Sequence, residues 1–123
     1  MLQFARDGVV NIAGLDISSD VLEETERLVK EQFPAVSFLS LVGDLTQADK
    51  IEFAINTVVE KFGRLDYAVN NAGIGQPLGV TGETAPEDFD KVIGVNMKGL
   101  WNCERFELGH MMKQSPLTLN PSV

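Results

Sequence analysis

Short apolar runs alternate along the chain with longer stretches of helical periodicity, the pattern of βαβ units and a mainly parallel sheet. Residues 9–16, 36–44 and 65–71 are rich in Val, Leu, Ile and Phe and are bounded by Gly, Pro or acidic residues. Near-continuous apolarity of this kind predicts three strands covered on both faces. Three helices separate or follow them. In the first, Val21, Leu22, Thr25, Leu28 and Val29 recur at helical spacing, Asp20 and Glu23 form a capping pair, and Phe33-Pro34 closes it. The second carries Ile51, Ala54, Ile55, Val58, Val59 and Phe62 on one stripe, with Thr46 as its N-cap and Gly63 at its left-handed end.

The third helix opens at Thr84-Ala85-Pro86-Glu87 and is expected to run without interruption over 86–113. Phe89, Val92, Ile93, Leu100 and Cys103 line one side of it, and Met97, Trp101, Leu108 and Met112 another. A helix apolar around so much of its circumference is expected to lie between two surfaces. Residues 2–6 read as the last turn of a helix ending at Gly8, and 114–123, with two prolines, as a loop-like tail. Neither an internal repeat nor a low-complexity tract is found.

Composition narrows the function classes. The 123 residues carry 18 acidic against 10 basic side chains, a net charge of −8, which disfavours phosphate backbones and anionic lipid headgroups as partners. The 44% apolar and 23% charged content suits one soluble domain. A lone cysteine, Cys103, cannot form an internal disulfide, and Cys and His show no zinc-ligand spacing. With neither a signal-like start nor a bilayer-length apolar run, the expected setting is cytoplasmic.

Each predicted strand ends in a polar residue: Asp16, Asp44, and the pair Asn70-Asn71 followed by Ala72-Gly73. Parallel strands share one carboxyl edge, and ligands of open α/β sheets bind in the crevice outside it. Any one of these residues is explained as the start of a turn, since Asp and Asn bond their own backbone there. Together they point to a site. A carboxylate at the end of a second Rossmann strand, such as Asp16, accepts from ribose hydroxyls and repels a 2′-phosphate, and no Lys or Arg follows until Arg27. That chemistry selects NAD over NADP. Asp44 is placed to accept from an adenine amino group. Gly73, Gly75, Gly79 and Gly82 allow close backbone approach, yet Leu78 breaks any G-x-G-x-x-G pattern, so a plain flexible loop is an equal reading. Asn96, three residues after Ile93 and four before Leu100, places an amide along an apolar stripe, where it either fixes packing or a kink, or orders water near a reaction centre. His110 is read as a surface residue complementing the helix dipole.

These residues resemble the short-chain dehydrogenase/reductase family. The resemblance rests on Asn70-Asn71-Ala72-Gly73 after 65–69 and on Phe62-Gly63-Arg64 before it. Gly43-Asp44-Leu45-Thr46, Leu15-Asp16-Ile17-Ser18 and Val95-Asn96-Met97-Lys98-Gly99 add to it, in order, over about 1–113. It implies an α/β fold, an incomplete Rossmann-like, doubly wound parallel sheet, with residues 1–123 forming a partial dinucleotide-binding domain. It further implies an oxidoreductase passing hydride between NAD(H) and a carbonyl or secondary alcohol of a small molecule. By the same resemblance Asp16 and Ile17 select NAD, Asp44 and Leu45 bracket the adenine, Asn70, Asn71, Ala72 and Gly73 line the cofactor cleft, and Asn96 belongs to the catalytic set, holding a proton-relay water.

The chain also departs from the family pattern. The first strand and its T-G-x-x-x-G-x-G loop are absent, as are the C-terminal strands. The one tyrosine, Tyr67, is followed four residues later by Asn71, so no Tyr-x-x-x-Lys is present. The missing acid/base alone corresponds to a loss of about 10²–10⁴-fold. In a 3-2-1-4 sheet the absent strand lies between those ending at Asp16 and Asn71. Each unsatisfied buried backbone group costs about 1–3 kcal/mol against a total stability of about 5–15 kcal/mol. The expectation is therefore that the two edges close on each other, that another chain supplies a strand, or that the chain is poorly folded. An inactive, truncated portion of an enzyme is the favoured reading. Two rivals are a non-catalytic module that pairs with a full-length relative or a second copy through helix 86–113, and a Mg²⁺ switch domain built on Asp16 and Asp44.

Overall fold

A computed structural model describes residues 1–75 and 79–117. The elements run α1 (Leu2–Arg6), β1 (Asn11–Asp16), α2 (Ser19–Gln32), β2 (Ser37–Val42), α3 (Ala48–Phe62), a 3₁₀ turn (Thr81–Glu83), α4 (Pro86–Ile93), a π-helical segment (Gly94–Gly99) and α5 (Leu100–Met111). β1 and β2 pair in parallel, with Asn11 opposite Ser37 and Asp16 opposite Val42. The described residues thus form the incomplete α/β sheet expected, with two strands rather than three. None of the described helices is long and apolar enough to cross a membrane.

Local sequence explains the element ends. Gly8 and Gly63 take positive φ, +92° and +79°, after α1 and α3, a conformation that other residues resist. The Ser18 hydroxyl accepts from Val21 N and caps α2, a role the sequence assigned to Asp20. Gln47 rather than Thr46 occupies the cap position of α3, and Ala85 that of α4, where Pro86 fills the first turn.

Two apolar clusters hold the elements. Ile12 and Phe38, neighbours across the strand pair, bury against Ala5 and Val29, with Leu2, Phe33 and Val36 around them. Ile51 and Ile55 of α3 bury against Cys103 of α5, flanked by Leu45, Leu65 and Phe106. His110 belongs to this second contact, because its Nε2 lies 2.7 Å from Asn56 Oδ1; it is half-buried, not the free surface residue expected.

Three expectations are corrected. Residues 65–71 do not form a strand, since a strand exists only through a ladder partner and none is present beside them among the described residues. The helix over 86–113 is not continuous α-helix, for the π-helical segment interrupts it. Nor is it covered on both sides: Cys103 is buried, but Phe89, Met97, Trp101, Leu108 and Met112 are more than half exposed. Arg105 instead lays its guanidinium over Trp101 and Phe106, 5.2 and 4.5 Å from the ring centroids. The tail is irregular over 115–117; its remainder, and residues 76–78 of the glycine-containing loop, lie outside the described residues.

Candidate cofactor-binding rim

The parallel register brings the two strand exits together. Gly43 N donates to Asp16 O at 2.9 Å, so Asp44 leaves the sheet beside Asp16. Each carboxylate closes the same small turn: Asp16 Oδ1 accepts from Ser18 N at 2.9 Å and Asp44 Oδ1 from Thr46 N at 2.8 Å. Both side chains are half-buried, and among the described residues neither pairs with Lys or Arg. The turn reading is thus correct for one oxygen of each acid. Its second oxygen is left as an acceptor, suited to a hydroxyl or an amino group. Ile17, which follows Asp16 and precedes α2, is 70% exposed.

Leu45 joins this edge to the helix. A Cβ built on Gly99 would lie 2.9 Å from both Leu45 Cβ and Leu45 O, so only glycine allows the helix to approach this closely. One turn before Gly99 stands Asn96, inside the π-helical segment, where the widened turn offsets the helix register. Its Oδ1 accepts from Ile74 N and its Nδ2 donates to Ile74 O, both at 2.8 Å. Gly73 lies over the same amide, with a built Cβ only 3.5 Å from Asn96 Oδ1. The amide is exposed, not buried along the apolar stripe as its spacing suggested, and its partners are main-chain groups of the loop.

Asp16, Asp44, Leu45, Asn96 and Gly73 therefore follow one another through direct neighbours. Asn71 and Ala72 continue the series as exposed residues. Asn70 turns aside: its Nδ2 donates to Glu107 Oε2 of α5 at 2.9 Å. Glu107 is half-buried, and that burial pushes its carboxyl above the usual range; the Asn70 bond pulls it down and nearby Glu104 adds a smaller upward push. Burial likewise raises the Cys103 thiol to about 11, with Glu107 contributing. Among the described residues, no group of three or more His, Cys, Asp or Glu is gathered for a metal.

Sequence reasoning missed the residues that hold the loop in place. Gln114 grips Leu65 at both main-chain groups, accepting from its N at 2.6 Å and donating to its O at 2.8 Å. Asn96 grips Ile74 in the same manner, so an amide in the π-helical segment and one just past the end of α5 pin the two ends of 65–74. No local pattern marks Gln114. The Gly94 and Gly99 pair inside a helical stretch was the available signal for close approach.

Known proteins resemble this chain in sequence and in fold. Residues 1–116 match the family model described as short chain dehydrogenase. An uncharacterized oxidoreductase of Thermotoga maritima is 40% identical over 113 residues, 92% of this chain and 43% of that protein. The structure of NAD⁺-bound xylitol dehydrogenase superposes with a TM-score of 0.85 at 29% identity, over 90% of this chain and 42% of that one. That of ElxO with NADP bound gives 0.76 at 33% identity, over 91% and 44%. The chain thus spans less than half the length of the relatives it matches, and its neighbours include both NAD and NADP binders. On this match over nearly its whole length, the chain belongs to the short-chain dehydrogenase family of oxidoreductases.

Proposed function

We propose that residues 1–123 are the cofactor-side part, a partial dinucleotide-binding Rossmann domain, of an NAD-dependent oxidoreductase. The reaction is hydride transfer between NAD(H) and a carbonyl or secondary alcohol of a small molecule in the cytoplasm. The observation that carries this reading is the pair of half-buried strand-end carboxylates, each using one oxygen on its own turn and keeping the other. Such a pair fits the adenosine half of a dinucleotide: Asp16 takes the ribose hydroxyls, while Ile17, Asp44 and Leu45 frame the adenine. Asn70, Asn71, Ala72 and Gly73 border the cleft further along. Bound NAD supplies the hydride acceptor.

Several features support NAD over NADP. Asp16 would repel a 2′-phosphate, and Arg27, the next cation in sequence, is engaged with Glu24 and Glu31 at 2.7 and 2.6 Å. Asn96 is the one residue here proposed for catalysis. After its two bonds to Ile74 it keeps one N–H and one lone pair with which to hold a relay water. Without a Tyr-x-x-x-Lys motif in the 123 residues, turnover by this chain alone is not expected.

Fluorescence titration with NADH and NADPH tests the reading. NADH is expected to bind more tightly, with the order reversed in Asp16→Arg; equal binding of both, unmoved by that substitution, refutes it. A second reading, a non-catalytic module that pairs with a relative or a second copy through 86–113, is favoured by the exposed Met97, Trp101, Leu108 and Met112. Light scattering that shows a monomer with no co-purifying chain counts against it.

A further inference from the structure

The exit of β2 touches the π-helical segment at both of its ends. A Cβ built on Gly99, the last residue of the segment, would lie 2.9 Å from Leu45 Cβ and from Leu45 O, and one built on Gly94, the first, 4.0 Å from the Thr46 methyl. Leu45 also packs on the cluster of Ile51, Ile55 and Cys103, which fixes its place. Between the two glycines stands Asn96, whose amide holds Ile74 N and Ile74 O, both at 2.8 Å. Asp44 joins the same set, because its Oδ1 accepts from Thr46 N at 2.8 Å. The whole path runs between Asp44 and Gly99.

A second conformation is open to these residues. The π-helical turn is a rare one, and it differs from an ordinary helix by a one-residue offset. Removing the offset turns the residues before it by up to about 100° around the axis relative to α5, one residue's share of a 3.6-residue turn. With Gly99 seated on Leu45, that rotation carries Asn96 off Ile74. The offset form with the amide engaged and the regular form with it released make up the two-state element that coupling between separate contacts requires.

We propose that residues 44–46 are a positioning strut for Asn96: a purine nucleoside held on Asp16, Asp44 and Leu45 favours the π-helical form and so tightens the grip of Asn96 on Ile74. The inference rests on the cofactor-rim reading above and adds a direction of control to it, from the adenosine end to the amide loop. Coupling of this kind is reciprocal, so releasing Ile74 weakens nucleoside binding by the same factor. Thr46 is a positioning residue here, acting through the methyl that meets Gly94.

The probe is adenosine, which lacks the pyrophosphate and nicotinamide of a dinucleotide, added to saturation to the full chain. Binding is read from the Ile17 and Leu45 amide resonances, and the coupling from amide hydrogen exchange. Exchange at Ile74, Gly99 and Leu100 is expected to slow together by about fivefold or more, while that at His110, near the other end of α5, stays as it was. Thr46→Ser, which removes the methyl, is expected to bind adenosine as before yet lose about half or more of the slowing; Thr46→Val, which keeps the methyl, retains it. Asn96→Ala is expected to weaken adenosine binding by about fivefold or more. The exchange pattern of the unaltered chain tests the strut whether or not these variants fold. Adenosine that moves Ile17 and Leu45 but leaves Ile74 exchange unchanged overturns the strut and spares the rim. So does slowing at Ile74 without Gly99 and Leu100, the mark of a ligand lying directly on the loop, or slowing that Thr46→Ser leaves whole. Ile17 and Leu45 resonances that never move refute the rim reading, and the strut with it.

Discussion

Gly99→Ala tests the closest contact in the rim. The new methyl carbon would sit 2.9 Å from Leu45 Cβ, 2.9 Å from Leu45 O and 3.4 Å from Gly94 O. Carbon atoms prefer separations of about 3.5–4.0 Å. Two of these neighbours are main-chain oxygens and the third is a Cβ, so none can swing away as a side-chain tip would. Overpacking of this kind costs about 1–3 kcal/mol. Replacing a helical glycine with alanine gains about 0.8–1.0 kcal/mol. Gly109 in α5 provides the control, since a Cβ there meets nothing within 4 Å. The difference between Gly99→Ala and Gly109→Ala cancels the propensity gain and leaves the clash, about 1–3 kcal/mol. With a urea m-value of about 1.5–2 kcal/mol/M, the midpoints of the two variants should differ by about 0.5–2 M. Gly109→Ala should lie above wild type and Gly99→Ala below Gly109→Ala. Coincident midpoints at equal m would show that Leu45 and the helix do not touch as described.

Other residues supply further tests. Because burial raises the Cys103 thiol from 9.0 to about 11, its thiolate at pH 8 should be about 100-fold scarcer than in the urea-unfolded chain, and reaction with a disulfide reagent at least that much slower. For Glu107 the sign runs as for any acid raised by burial: the folded state binds the proton more tightly, so stability is present below the unfolded value of 4.5 and is lost as pH rises through the folded one. Glu107→Gln keeps an acceptor for Asn70 and should raise the urea midpoint at pH 7, with the gain vanishing near pH 4; a pH-independent gain would rule this cause out. Gln114→Ala removes both bonds to Leu65 and should cost about 1–3 kcal/mol, with faster hydrogen exchange at the Leu65 amide as the confirming signature.

The parts of this structure that local chemistry decides were legible before any coordinates. Both strands begin one or two residues inside their predicted bounds, and the glycine after α3 sits in the left-handed region its position requires. The same apolar pattern misled at 65–71, because it records fitness for a sheet interior and not whether a neighbouring strand is there. The π-helical segment was not legible either: Val95, Asn96 and Met97 are compatible with an ordinary helix, and the wide turn appears only where Gly99 meets Leu45 and Asn96 meets Ile74. Asp16 and Asp44 were found as strand-exit acids, yet their shared turn geometry and adjacency follow from the β1–β2 register. Gln114 and Glu107 were missed because their partners are 49 and 37 residues away in sequence.

The central claim, that strand-end acids and amides form one dinucleotide-binding edge, is tested most directly by amide chemical-shift mapping during titration with NAD⁺. The account predicts that the resonances of Ile17, Leu45, Asn71 and Gly73 move together and saturate at one common concentration. Movement confined to Asn11, Ser37 and Arg64, at the opposite ends of these segments, would contradict it.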